Sequence, residues 1–139
     1  MKQILIITDD VASYGLYRSL LDDGAIDISH RSSVSEAMTF TRSNYNIVLI
    51  IVNFDVPKFG KKQLSSIRKL KNRCKIINLV SHISERVLDE CMKLNIYVIR
   101  KPLDHESFKE LVKDHIESVN IKQHDNQMLN IMEDITNEE

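Results

Sequence analysis

The chain has 139 residues, of which 42% are hydrophobic and 28% are charged, and its formal net charge is −1. This length supports one hydrophobic core and is too short for two full domains. Because acids and bases are balanced and interspersed, the composition excludes the basic footprint of a nucleic-acid-binding protein and gives no electrostatic reason to expect a membrane partner.

Short apolar runs alternate with helical patterns over the first 119 residues. The runs predict strands because they are brief, rich in β-branched residues and bounded by turn residues, whereas apolar spacings of three and four predict helices. In chain order, strands are predicted at 3–8, 26–29, 46–52, 75–80 and 96–99. Helices are predicted at 11–21, 33–43, 64–72, 85–94 and from 104 or 107 to 119. This alternation is typical of an α/β domain with a parallel sheet.

The third run is the most apolar, with six consecutive apolar residues at 47–52 followed by Asn53, Asp55 and Pro57. Such a run predicts a strand buried on both faces, which occurs at the centre of a parallel sheet covered by helices on each side. In these sheets the functional crevice lies just beyond the carboxyl ends of the strands. We therefore expect Asn53 and Asp55 to lie near the functional site.

The other predicted strands also end in polar side chains that would meet at this edge. They are Asp9 and Asp10 after the first strand, Ser81 after the fourth and Lys101 after the fifth. Adjacent carboxylates raise each other's pKa unless a cation shares them, and Mg²⁺ held by one or two carboxylates and water is a common solution. A lysine and a hydroxyl opposite them would complement an anionic group such as a phosphoryl group.

Several of these motifs agree in order and spacing with one known family. They are Ile7-Thr8-Asp9-Asp10, the run to Asn53 with Pro57 four residues on, Ser81, and Lys101-Pro102. Over residues 2–119 the chain resembles a response-regulator receiver domain of two-component signalling. The resemblance implies a CheY-like, flavodoxin-like sandwich of three layers with a five-stranded, doubly wound parallel sheet. It also implies that Asp9 and Asp10 hold Mg²⁺ and that Ser81 and Lys101 contact a phosphoryl group.

The chain departs from the family at the phospho-acceptor, where Asn53 occupies the position of the aspartate. A carboxamide is a poor nucleophile and removes one anionic metal ligand, so weak binding of Mg²⁺ or none is expected. Asp55, two residues further, is the alternative acceptor. The family's switch aromatic corresponds to Val98, while Tyr97, one place earlier, should lie on the opposite face of its strand.

These departures predict a pseudo-receiver that regulates a partner by protein–protein contact and is not an enzyme. The expected partner is a histidine kinase, an output protein or a second copy bound through the face of the fourth helix, fifth strand and fifth helix. Two alternatives stay open. One is a Mg²⁺-dependent phospho-accepting regulator that uses Asp55, and the other is the receiver part of a transcriptional regulator whose output domain is missing.

Residues 120–139, here called the C-terminal segment, differ from the rest because they carry one lysine and five acids. Met128, Leu129, Met132 and Ile135 would share one helical face. The segment is expected to be a frayed extension of the last helix, a linker, or a short helix for a partner or a second copy.

Cellular location and redox state are also expected from the sequence. Cys74 and Cys91 form no metal-type pair and should be buried thiols in a reducing compartment. No signal peptide fits, and no apolar run approaches the roughly 20 residues of a membrane span, so a cytoplasmic location is expected.

Overall fold

A single parallel sheet of five strands organises the molecule, in the order β2-β1-β3-β4-β5. The structure is a computed structural model that describes residues 1–53, 65–66, 68–69 and 74–117. The strands are β1 (Gln3–Ile7), β2 (Asp27–Arg31), β3 (Ile47–Val52), β4 (Lys75–Val80) and β5 (Tyr97–Arg100). The helices are α1 (Val11–Leu21), α2 (Val34–Thr41), α3 (helical residues 65–66 and 68–69), α4 (Glu85–Lys93) and α5 (helical over residues 105–117). The predicted doubly wound α/β fold is confirmed.

Helices cover both faces of the sheet, which creates two apolar clusters. On one face Tyr17 of α1 and Phe108 of α5 pack with β3 residues such as Ile51. On the other face Ala37 of α2 and Cys91 of α4 pack with residues such as Ile50. All six residues of β3 are buried, as predicted for a central strand. Burial on two faces explains why this strand carries no alternation of polar residues.

Local signals fix the helix ends. Ser33 caps α2 and Ser84 caps α4, in each case through a side-chain oxygen that accepts from a backbone N–H three residues on. At the end of α4, Asn95 adopts a φ of 61°, its N–H bonds to Met92 O at 3.1 Å, and the Ile96 N–H bonds to Cys91 O at 2.8 Å. This pair of bonds is a Schellman motif with asparagine at the left-handed position.

Three apolar side chains are exposed although they follow the three- and four-residue spacing that predicted the helices and their inner faces. Val11 and Leu16 of α1 are 74% and 45% exposed, and Met92 of α4 is 69% exposed. At 100° per residue Met92 lies 100° round the helix from buried Cys91, and Val11 and Leu16 lie similarly far from Tyr17. The three- and four-residue spacing therefore includes residues on the flanks of each helix, whereas only a narrower set of side chains contacts the sheet.

The second strand also differs from its prediction, since it covers Asp27–Arg31 rather than residues 26–29 and does not alternate between buried and exposed. β2 is an edge strand whose register follows backbone pairing with β1, beginning at Gln3 opposite Asp27. Its polar side chains find specific partners: the Gln3 amide donates to Ser29 Oγ at 2.7 Å. Backbone pairing with β1 and side-chain hydrogen bonds therefore determine the bounds and the register of β2.

Other predictions can be compared only in part. Cys74 and Cys91 are both buried, as predicted, and burial raises the pKa of the Cys91 thiol. Asp55, Pro57, most of the predicted third helix and the C-terminal segment lie outside the described residues. None of the helices in the described part of the chain has the length and apolarity needed to cross a bilayer.

Candidate functional site

The candidate site lies at the carboxyl edge of the sheet, where β1, β3, β4 and β5 end. Asp9 and Asp10 follow β1, Asn53 follows β3, and Ser81 and Lys101 follow the next two strands. Asp9, Asp10 and Ser81 are exposed, and Lys101 is half-buried. Asn53 is only 7% exposed, so its side chain lies beneath this edge rather than in open solvent.

Both ends of the Asn53 carboxamide are hydrogen-bonded inside the protein. The Tyr17 hydroxyl donates to Asn53 Oδ1 at 3.2 Å, and Asn53 Nδ2 donates to Thr8 Oγ1 at 3.0 Å. Tyr17 is 3% exposed and Thr8 is fully buried. The amide therefore connects β3 to α1 and to the end of β1, and its polar atoms are satisfied without a ligand.

Thr8 is the meeting point of several polar groups. Its Oγ1 also accepts from the Asp10 backbone N–H at 3.2 Å, and its carbonyl oxygen accepts from His30 Nε2 at 2.8 Å. The His30 ring stacks on Tyr14, with ring centroids 4.5 Å apart. A buried network thus extends from the edge strand β2 to Asn53.

Asp10 caps α1 with both carboxylate oxygens. Oδ1 accepts from the Ala12 N–H at 3.1 Å, and Oδ2 accepts from the Ser13 hydroxyl at 2.7 Å. The Ser13 and Ala12 hydrogen bonds lower the pKa of Asp10, and the positive charge of Lys101 lowers it further. Asp10 and Lys101 both lie at the carboxyl edge of the sheet, after β1 and β5.

The position of Lys101 is fixed by its backbone. Its N–H donates to the Val80 carbonyl at 2.8 Å, which holds the end of β5 against the end of β4 just before Ser81. The peptide bond between Lys101 and Pro102 is cis. The phosphoryl-contact roles of Ser81 and Lys101 stay predictions.

The described residues offer limited ligands for a cation. No cluster of three or more His, Cys, Asp or Glu side chains occurs in the part of the chain that the structure covers. Asp10 already accepts two hydrogen bonds, and the Asn53 amide oxygen accepts one from Tyr17. With these ligands a Mg²⁺ ion would be held mainly by water rather than in an anionic cage, and its binding by Asp9 and Asp10 stays a prediction.

Val98 and Tyr97 lie on opposite sides of the sheet, as strand alternation predicts. Val98 packs with the cluster that contains Cys91, on the α4 side. Tyr97 is 51% exposed and contacts His115 of α5 edge-on, with ring centroids 5.5 Å apart. The only aromatic side chain of β5 therefore faces away from α4.

Sequence reasoning missed Thr8 and Tyr17 as partners of Asn53. One signal was available: Thr8 interrupts an otherwise apolar run just before the two aspartates. Tyr17 gave no signal, because a tyrosine at core spacing in a helix is most simply interpreted as an apolar ring.

Comparison with known proteins identifies the fold. No family model and no curated protein matches the chain. A CheY-like receiver domain protein from Methanospirillum hungatei superposes with a TM-score of 0.77 at 18% identity, covering 88% of this chain and 98% of that one. A receiver domain protein from Clostridium thermocellum gives 0.73 at 22% identity, covering 87% and 98%.

A longer protein contains a similar domain. NtrX from Brucella abortus matches with a TM-score of 0.74 at 17% identity, covering 92% of this chain but 29% of that one. These similarities agree with the observed strand order of the sheet. The chain has the fold of response-regulator receiver domains.

Proposed function

We propose that this chain is a receiver-like module of two-component signalling that acts on a partner protein by contact, catalyses no reaction and is not phosphorylated at Asn53. The observation that carries the proposal is that both the oxygen and the nitrogen of the Asn53 carboxamide are hydrogen-bonded within the protein, to Tyr17 and Thr8. The fold and the polar strand ends support a receiver, while this position lacks the group that would accept a phosphoryl.

The chemistry of the amide explains the loss of phosphoryl acceptance. An acceptor needs a carboxylate lone pair that can attack phosphorus, whereas the amide nitrogen lone pair is delocalised into its carbonyl. Here Nδ2 is used as a donor to Thr8, and Oδ1 accepts from a buried tyrosine. Regulation would then come from a ligand or partner that prefers one conformation of the domain.

The face formed by α4, β5 and α5 is the proposed contact surface for a histidine kinase, an output protein or a second copy. Met92 and Tyr97 expose 69% and 51% of their surface there. Arg100, Asp89 and His105, in or next to the same three elements, are also exposed. A surface that combines exposed apolar and charged side chains is typical of a protein-binding patch.

Intact mass after incubation with acetyl phosphate and Mg²⁺ tests the proposal. We expect no phosphoryl adduct on the wild type and an adduct on Asn53→Asp, since the substitution places a carboxylate at the end of β3, on the same edge of the sheet as Asp10 and Lys101. Asn46→Asp is the matched control, because it adds the same charge before the opposite end of β3, and we expect it to stay unmodified. An adduct on the wild type would contradict the proposal.

Asp55 decides the alternative of a phospho-accepting regulator. If the wild type gains an adduct that Asp55→Ala removes, the chain is a Mg²⁺-dependent phospho-acceptor and the pseudo-receiver assignment is wrong. If Asp55→Ala leaves the Asn53→Asp adduct intact, Asp55 is not the acceptor in that variant.

Sedimentation velocity over a concentration series tests a second copy as the partner. We expect Tyr97→Asp to weaken self-association, while Tyr45→Asp, which changes a tyrosine that is 81% exposed before β3, leaves it unchanged. A wild type that stays monomeric would exclude a second copy as the partner and leave a different protein in that role.

A further inference from the structure

A groove of about 850 Å³ lies at the amino edge of the sheet, opposite the candidate site. It runs between the end of α1 and the last described turns of α5. Four buried apolar residues form its floor: Ile4, Leu21, Val112 and Ile116. Leu20 and Ile26, which are half-buried, extend the apolar surface toward the rim.

The rim of the groove carries charged residues of both signs, and two of its lysines form no ion pair with another described residue. Lys2 and Lys113 make no ion pair with any described residue. Asp22 and Asp23 also line the groove, but Asp22 Oδ1 accepts from the Gly24 N–H at 3.1 Å and Asp23 Oδ1 accepts from the Ala25 N–H at 2.9 Å. These bonds hold the two carboxylates in their own turn, and the positive charge that an acidic partner would meet in this groove comes from Lys2 and Lys113.

The lining does not resemble a small-molecule site. Such sites combine an apolar pocket with a few convergent, buried polar groups that orient the ligand. In this groove every buried lining residue is apolar, and the polar residues lie on the exposed rim. An apolar floor with a charged rim suits the apolar face of an amphipathic helix.

The C-terminal segment has the matching chemistry. Met128, Leu129, Met132 and Ile135 have the spacing of one face of a helix, and four acids follow or interleave with them: Glu133, Asp134, Glu138 and Glu139. Glu117, the last described residue of α5, itself lines the groove. The 11 residues from 117 to 128 can span up to about 36 Å, which is enough to turn back onto the groove.

We propose that residues 128–135 dock in this groove of their own chain, with their apolar face on the floor and the flanking acids beside Lys2 and Lys113. The segment would then shield the amino edge of the sheet and leave the candidate site at the carboxyl edge open. The proposal is independent of phosphorylation at residue 53, so each can fail without the other.

Hydrogen exchange of the full chain, followed by mass spectrometry, tests the docking. We expect amides of residues 128–135 to exchange at least about 10-fold more slowly than in an unstructured peptide. Leu129→Asp should abolish this protection and also speed exchange in residues 19–26. Asn130→Asp is the matched control, since it adds the same charge on the opposite helical face, and it should leave both regions protected.

Substitutions of lysines and a series of protein concentrations complete the hydrogen-exchange test. Lys113→Glu should reduce protection of the segment, whereas Lys93→Glu, an exposed lysine outside the groove, should not. Unprotected amides in the wild type would overturn the proposal, as would a Leu129→Asp variant with unchanged exchange in residues 19–26. Protection that increases with protein concentration would also overturn it, because the occupant would then be the segment of a second copy.

Discussion

The buried side chain of Asn53 connects three elements of this molecule. Its carboxamide bonds to residues that are 36 and 45 positions away in the sequence, Tyr17 and Thr8. All three side chains are buried, so removing one of them leaves a polar atom that has neither a protein partner nor water to bond with. An unsatisfied buried group of this kind costs about 1–3 kcal/mol.

Tyr17→Phe isolates one of these bonds, because it removes the hydroxyl and keeps the ring against Phe108. We expect the free energy of unfolding to fall by about 1–2 kcal/mol, since Asn53 Oδ1 loses its donor. Tyr14→Phe is the control: the Tyr14 ring stacks on His30, and no hydrogen bond of its hydroxyl occurs among the described residues. Urea denaturation measures both, and equal losses would show that the Tyr17 hydroxyl adds nothing.

The pKa of Asp10 should follow the order of its causes. We expect Ser13→Ala to raise this pKa more than Lys101→Ala does, because the Ser13 hydrogen bond is the larger cause of the depression. A folded-state pKa below 3.8 contributes stability above that pH, and this stability is lost as the pH falls through the folded-state pKa. Carboxyl NMR titration measures the shifts.

Ser32→Ala provides the control for this titration. It should raise the pKa of Glu36, which accepts from Ser32, and leave Asp10 unchanged. The assignment of causes is wrong if Lys101→Ala shifts the pKa of Asp10 more than Ser13→Ala does.

At the scale of elements, α4 shows how local chemistry sets an end. Ser84 Oγ accepts from the Val87 N–H at 3.2 Å at its beginning, and the Schellman bonds around Asn95 close its end. The turn directs the chain into Ile96, which is buried, and then into β5. The left-handed residue therefore positions both the contact face and Lys101 at the end of β5.

Substitutions at Asn95 test this turn. We expect Asn95→Ala to lower the free energy of unfolding by about 1 kcal/mol, because a β-carbon without a polar side chain disfavours the left-handed conformation. Asn95→Gly removes that strain and should stay within about 0.5 kcal/mol of the wild type. Thermal and urea denaturation measure both, and equal destabilisation would argue against a left-handed residue 95.

At the scale of the whole molecule, stability concentrates in the middle of the sheet. β1 and β3 are buried along their whole length, while β2 and β5 are edge strands with exposed or half-buried residues. The two apolar clusters meet the sheet from opposite faces, so β3 belongs to both. Opening β3 would therefore require both helical layers to separate.

Native-state hydrogen exchange should reflect this arrangement. We expect β3 amides to exchange only by global unfolding, whereas β2 and β5 amides also exchange through local opening with a lower free energy. NMR exchange rates in low concentrations of denaturant distinguish the two classes. If β2 amides are protected as strongly as β3 amides, the sheet opens as one unit, and the predicted difference in opening free energy between central and edge strands is wrong.

The sequence alone determined the fold, because the alternation of short apolar runs and amphipathic periods is a local property. β4 has the predicted bounds, Lys75–Val80, and α1 covers 11–21 as expected. Errors fell on β2, whose register follows pairing with β1, and on Met92, which lies on the flank of its helix. In both cases the outcome depends on packing against another element: the bounds of β2 follow its pairing with β1, and the exposure of Met92 follows the orientation of α4 on the sheet.

For the candidate site, too, the sequence predicted one part and the tertiary structure decided the other. The sequence determined which polar residues share the carboxyl edge, since strand order and direction bring Asp10, Asn53 and Lys101 to one side. Only the tertiary structure decided that Asn53 is turned inward to Thr8 and Tyr17. Those hydrogen bonds depend on how α1 packs across β1 and β3, and no local pattern encodes the distance between side chains so far apart in the chain.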